Sequence, residues 1–318
     1  MPETEKRHSA FDFFGFATLS LAVGALQIFL DRGQLKDWFG SSEICVEAAV
    51  AVIALYLFIV HMLTGRGTRF VSPGLFKDSN FIVGSLFVFT VGLVLYASLA
   101  LLPPLLQELM NYPVVTTGLV TAPRGFGSLL SAVIIGRISN RVDPRWIIGS
   151  GFALTALSAW QMSHFDLQMD SSTVIWSGIA QGLGTALAYV PMASAAFATL
   201  NPALRNEGAS FFSLQRNLGS SIGISIAETL LTRNTQVLHS SLATHVTPYT
   251  PLIRAQTHGD ALTAMQLVNL NAQVTAQGAM IAYVDDFRLM MWLALAAIPM
   301  VLLLRKARQS AVVEIAAE

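Results

Sequence analysis

The chain has 318 residues, 53% of them hydrophobic and 12% charged, with a mean hydropathy of +0.58. That balance excludes a water-soluble domain, and the 19 basic and 19 acidic side chains cancel. A single cysteine, Cys45, excludes an internal disulfide, and the histidines show no metal-ligand spacing, so no metal, cofactor or nucleic-acid partner is expected.

Residues 1–10 are polar, carry Lys6 and Arg7, and are too hydrophilic for a signal peptide. Eight apolar runs follow, at about 13–30, 43–63, 80–102, 114–136, 146–163, 173–199, 208–231 and 285–304. At ~1.5 Å per residue, runs of ~20 residues cross a ~30 Å hydrocarbon core as helices. The expected fold is therefore an all-α polytopic membrane protein with about eight transmembrane helices. The last run is short and begins beside Asp285, Asp286 and Arg288.

Basic residues set the orientation. With the N-terminus in the cytoplasm, twelve of the 19 lysines and arginines fall inside, at positions 6, 7, 66, 69, 77, 137, 141, 145, 205, 305, 306 and 308. Five fall outside, and Arg124 and Arg216 lie within spans. This bias predicts cytoplasmic termini and an even number of spans. The outside turns around 103–113 and 164–172 lack basic residues, whereas 232–284 is a long, Gln- and Thr-rich outside segment. Within it, Leu262, Met265, Val268, Ala272 and Met280 form a loose helical stripe. An amphipathic helix on the outer leaflet, a docking surface and a solvated connector all fit that pattern.

Residues 208–231 (GASFFSLQRNLGSSIGISIAETLL) place Arg216 and Asn217 near the middle of a span. A central arginine costs roughly 2.5–3.5 kcal/mol on insertion scales, so it is expected to face protein or water. Gly219 and Gly223 form a G-x-x-x-G step that admits a neighbouring backbone. Residues 118–138 (GLVTAPRGFGSLLSAVIIGRI) repeat the theme, with Arg124 after Pro123. No Asp or Glu is expected near a helix centre. The arginines therefore bind an anionic or polar ligand, meet carboxylates on another polypeptide, or bond to carbonyls freed near Pro123. Tyr96, Gln181, Gln215 and Asn217 are further candidates for lining a cavity. P-loop, G-x-S-x-G and paired D-x-x-x-D motifs are all missing, so an enzyme is not expected. Pro123, Pro191 and Pro299 each remove an N–H from an apolar stretch, as in the discontinuous helices of transporters.

Residues 136–145 (GRISNRVDPR) closely follow the G-x-x-x-[DN]-[RK]-x-G-x-[RK] loop of the major facilitator superfamily, which the chain resembles. Gly136, Asn140, Arg141 and Arg145 match, and Asp143 replaces the second glycine. Gly136 permits close helix contact, and Arg141 and Arg145 suit helix C-termini at the cytoplasmic face. Further segments, GALQIFLDRGQLKDWF at 24–39, LFKDSNF at 75–81, LPPLLQ at 102–107 and RNLGSSIG at 216–223, are similar to EmrB/QacA-type fourteen-spanner drug:proton antiporters.

The resemblance, over about residues 11–305, implies two accessory helices at 11–64, a cytoplasmic linker at 65–79, and a six-helix C-terminal transporter domain at 80–305 with its outside loop at 232–284. Cytoplasmic tails are expected at 1–10 and 306–318. It further implies multidrug efflux by alternating access in the inner membrane, with hydrophobic drug-like molecules and protons as substrates. Lipid, a periplasmic adaptor, and a missing N-terminal helix domain or a second subunit are the implied partners. The chain reads as the C-terminal part of such a transporter, unable to couple efflux to protons alone; a non-transporting protein that binds another membrane subunit is the alternative.

Overall fold

The computed structural model describes residues 11–64, 70–139, 141–246 and 263–304, and among them the regular structure is helical. The helices are α1 (Phe13–Gly33), α2 (Ser42–Thr64), α3 (Ser79–Pro104), α4 (Val114–Thr121), α5 (Pro123–Ile138), α6 (Pro144–Met162), α7 (Ser171–Ala198), α8 (Arg205–Thr244) and α9 (Ala264–Met300). Aspartates cap several N-termini: Asp12, Asp78, Asp143 and Asp170 accept from the backbone N–H groups of Gly15, Phe81, Arg145 and Ser172 at 2.9–3.2 Å. Prolines open α5 and α6, where a missing N–H costs nothing.

Phe13–Lys36, Ser42–Thr64, Ser79–Leu109, Val114–Ile138 and Ala264–Leu303 are long and apolar enough to cross a membrane. Helices α6, α7 and α8 pack in the same bundle, with Gly151, Gly182 and Gly219 against the backbones of neighbouring helices. With α4 and α5 forming one interrupted rod, eight rods result, the number expected. The chain is a multi-pass membrane protein.

Helices α3–α9 form one bundle. One apolar cluster joins Leu101, Leu105, Leu106, Phe165, Phe287 and Met290, and another joins Phe87, Ile148, Phe152 and Met192. Helices α1 and α2 pack on each other and lie at the periphery. Only 22% of each of their apolar stretches is buried, against 56% for α3, which leaves Val52, Ile53 and Tyr56 outward as lipid-facing residues are. The pair is fastened at one end by Asp12, whose carboxylate lies 3.0 Å from His61 Nε2 and accepts from Phe70 N–H at 3.0 Å. Towards the other end, Ser221 Oγ on α8 donates to Gln27 Oε1 on α1 at 2.5 Å.

Two boundaries differ from the sequence reading. The span expected at 285–304 is the end of a 37-residue helix, and the one expected at 208–231 continues to Thr244. Much of the expected 232–284 loop is therefore helix, with 247–262 outside the described residues. Apolar runs mark where a helix can meet lipid, whereas α8 and α9 continue beyond by pairing with each other. His239 Nε2 lies 3.0 Å from Asn271 Oδ1, and a Cβ on Gly278 would lie 3.2 Å from His239 N. A capping box between Thr263 and Gln266 starts α9. Of the predicted stripe, Met265 and Val268 are exposed and Met280 joins the core, while Leu262 is outside the described residues.

Candidate functional site

Both arginines sit where two helices cross at backbone distance. On α7, a Cβ added to Gly182 would lie 2.1 Å from the Arg124 carbonyl oxygen of α5; on α3, one added to Gly92 would lie 2.4 Å from the Arg216 carbonyl oxygen of α8. Three residues along, the relation reverses. Gly127 faces the Ile179 carbonyl at 2.2 Å and Gly219 faces that of Phe89 at 2.2 Å. Thus R-x-x-G on one helix meets x-x-x-G on its neighbour twice, with the same offsets. No side chain larger than hydrogen fits at these four positions without moving backbone. Gly223 extends the second crossing, 2.4 Å from the Leu93 carbonyl. The G-x-x-x-G step of 208–231 is therefore used inside the bundle and is not an open face.

The arginine side chains find different surroundings. Arg124 Nη2 donates to Gln181 Oε1 on α7, so its guanidinium reaches across the crossing and does not turn back to the carbonyls near Pro123. Arg124 Nε and Gln181 Nε2 are buried without partners. Both residues line a cleft of about 170 Å³ with Leu99, Leu102, Pro103, Thr121 and Val174. Arg216 Nη1 lies 3.5 Å from the Tyr189 hydroxyl, at the limit of hydrogen bonding, and its Nε is buried and unpartnered. Beside it, Gln215, Ser85 and the rings of Phe76, Phe81, Phe89 and Phe211 line a groove of about 340 Å³. Asn217 is exposed on α8, and Tyr96 is half-buried on α3, outside both linings.

In the loop between α5 and α6, Arg145 Nη2 donates to the Leu304 carbonyl just beyond α9, so an arginine closes a helix C-terminus there. Arg141 is exposed, and Asn140 is outside the described residues. Gly136, expected to admit a close helix, has no heavy atom within 4 Å of its Cβ position; α5 is approached on its Gly127 face instead.

Asp286, at the start of the apolar run 285–304, lies within α9, is 1% exposed and has an unpartnered Oδ2; its neighbours Tyr283 and Phe287 pack with Leu105, Leu106 and Phe165. The Asp285-Asp286 pair is visible in the sequence, but the apolar run starting there places it at a helix entrance. The glycines Gly92 and Gly182 were also not identifiable, because their importance depends on a distant partner.

A polytopic helical bundle with arginines held between its helices is an arrangement found among secondary membrane transporters. Residues 84–244 match the model of the Major Facilitator Superfamily. Over 290 residues the chain is 33% identical to "Multidrug export protein EmrB" of Escherichia coli (strain K12), covering 90% of this chain and 56% of that protein. Over 247 residues it is 32% identical to "Fatty acid resistance protein FarB" of Neisseria gonorrhoeae, covering 78% and 48%. The chain thus spans about half the length of these curated relatives. A bacterial homolog of the human lysosomal transporter Spinster, in an inward-facing, occupied conformation, shares the fold with a TM-score of 0.50 and 17% identity over 89% of this chain and 65% of that one. The chain belongs to the major facilitator superfamily.

Proposed function

We propose that the chain provides the C-terminal helix bundle and two accessory helices of a multidrug efflux transporter in the bacterial inner membrane. It works as a drug:proton antiporter by alternating access, and both termini are cytoplasmic. A second helix bundle, from the same polypeptide or another subunit, completes the moving pair, and a periplasmic adaptor extends the export route. The reading is supported by likeness to a multidrug export protein along 90% of the chain. The observation that carries it is the pair of arginines, Arg124 and Arg216, each half-buried with a buried, unpartnered Nε and no ion pair among the described residues. A charge kept in a membrane bundle without a counter-ion marks a substrate or ion path.

The test is ethidium efflux from drug-sensitive bacteria carrying the assembled transporter. Arg124→Ala and Arg216→Ala are expected to abolish efflux at unchanged membrane levels; full resistance with both changes makes the arginines structural. For orientation, a periplasm-active reporter fused after Ser240 is expected to be active and one after Asn140 inactive. The reverse pattern overturns the topology.

A further inference from the structure

Asp286 is a carboxyl for which the bundle supplies no counter-ion. It is buried, and its Oδ2 has no hydrogen-bond partner. Arg288, the nearest basic residue along α9, pairs with Asp285 instead, at 3.3 Å. The flanking Tyr283 and Phe287 belong to an apolar cluster with Leu105, Leu106, Phe165 and Met290. An ionised carboxylate is costly in such surroundings, and a group so placed takes up a proton instead. A hard metal ion would ask for several oxygen ligands. Among the described residues, no group of three or more acidic, histidine or cysteine side chains gathers to supply them.

The carboxyl also has a way in. Beyond Pro103 and Pro104, α3 runs into a π-turn at Leu105–Leu109, a wide winding that is frequent at functional positions. Leu105 and Leu106 of this turn join the cluster around Tyr283 and Phe287, while Glu108 is exposed. Tyr283 is 4% exposed and lies within electrostatic reach of both Glu108 and Asp286. One phenol is thus shared by a carboxyl open to solvent and a carboxyl closed to it. A phenolic O–H both donates and accepts, so it can pass a proton between them. The elements packed around this end of α9 carry Tyr112 after α3, His164 and Asp166 after α6, and Glu228, Arg233 and His239 on α8. All are at least partly exposed, and none of the ion pairs among the described residues includes Asp286.

We propose that Asp286 is a proton-binding site of this bundle, loaded from the outer face through Glu108 and Tyr283. In the relay, Glu108 gives its proton to the Tyr283 oxygen while the phenol passes its own to Asp286 Oδ2. Glu108 then takes a new proton from bulk water, so charge and atoms balance without a redox partner. The proposal rests on the antiport reading and its orientation, which put this end of α9 on the outer side. Proton binding requires neither drug, gradient nor second bundle, so its outcome is separable from that of the efflux test.

The experiment is infrared spectroscopy of the full chain in an uncharged maltoside detergent at pH 7. A carboxylic C=O band is expected that is missing from Asp286→Asn and kept in Asp285→Asn. On transfer to D2O the band is expected to shift as O–H becomes O–D. Tyr283→Phe and Glu108→Gln are each expected to keep the band and to slow that shift at least tenfold. Where Asp286→Asn fails to fold, labelling of the unaltered chain decides. Dicyclohexylcarbodiimide adds to protonated carboxyl groups in apolar surroundings, and peptide masses are expected to show it on Asp286. A chain with no such band, or with Asp286 unlabelled, overturns the proposal. A band that never shifts in D2O marks a structural acid and overturns it too, as does exchange at the unaltered rate in both Tyr283→Phe and Glu108→Gln.

Discussion

At the α5–α7 crossing the residue before the contact glycine is Gln181; at the α3–α8 crossing it is Val91. Around this difference the two sites share their backbone register, glycine against arginine carbonyl and, three residues on, glycine against carbonyl in return. The amide gives Arg124 a partner, and beside them lies a cleft of about 170 Å³. The isopropyl group gives Arg216 none, and it turns towards the Tyr189 hydroxyl near an aromatic groove. Main-chain packing and the polar surroundings of the arginines are thus separable. Glycines set how closely the helices approach, and one neighbouring side chain sets which partner the arginine meets.

The shared register is tested first, since its loss has the largest effect. Gly182→Val and Gly92→Val each force apart backbones in contact, at a cost near the upper end of overpacking, about 3 kcal/mol. Both are expected to lower the yield of monodisperse protein and the melting temperature in detergent to a similar extent. Gly178→Ala, with 3.9 Å of room, is expected to leave both unchanged. A severe loss at only one of the two glycines breaks the equivalence of the crossings.

The difference between the sites predicts a smaller, asymmetric effect. Gln181→Val gives Arg124 the surroundings of Arg216 and strands its buried donors, at about 1–3 kcal/mol. Adding Arg124→Leu removes the stranded charge and is expected to recover most of that loss in a double-mutant cycle of melting temperatures. Additive losses would show that the pair is not coupled.

Two changes outside the crossings set the scale. Arg145→Ala removes the donor to the Leu304 carbonyl and is expected to cost about 1 kcal/mol. That is about 2–4 °C of melting temperature for a domain of roughly 150–250 residues. The smallest effect concerns pH. Hydrogen bonds from Gly15 N–H, His61 and Phe70 N–H hold the Asp12 carboxyl below its ordinary range. A depressed folded-state value contributes stability that is present above the unfolded value, near ~3.9, and lost as pH falls through the folded one. Asp12→Asn is expected to flatten the decline in melting temperature below about pH 4. An unchanged acid slope would remove Asp12 as the fastening of α1 to α2.

Much of the architecture was legible because hydropathy and charge are local. The apolar runs located the eight rods, and Arg124 and Arg216 stood out because a charge inside such a run is costly. The extents of α8 and α9 were not legible. Beyond the apolar runs their turns are held by each other, as at His239 and Asn271, and polar residues there signal equally a loop or a paired helix. For the same reason Asp286 read as a residue at a helix entrance, although it is buried on α9.

By itself the sequence determined a multi-pass helical protein, with two arginines in need of protein around them and a basic loop at 136–145. It also contained R-x-x-G at 124–127 and again at 216–219, but nothing in either stretch states which helix will lie against it. Only the tertiary structure decided that Gly182 meets Arg124 and Gly92 meets Arg216, and so that Gln181 enters one site and Val91 the other. Each of those partners lies on a separate helix far along the chain, and a carbonyl in contact with a glycine leaves no local pattern. The crossing register is set jointly by the packing of all the helices, so it exists only once the bundle is assembled.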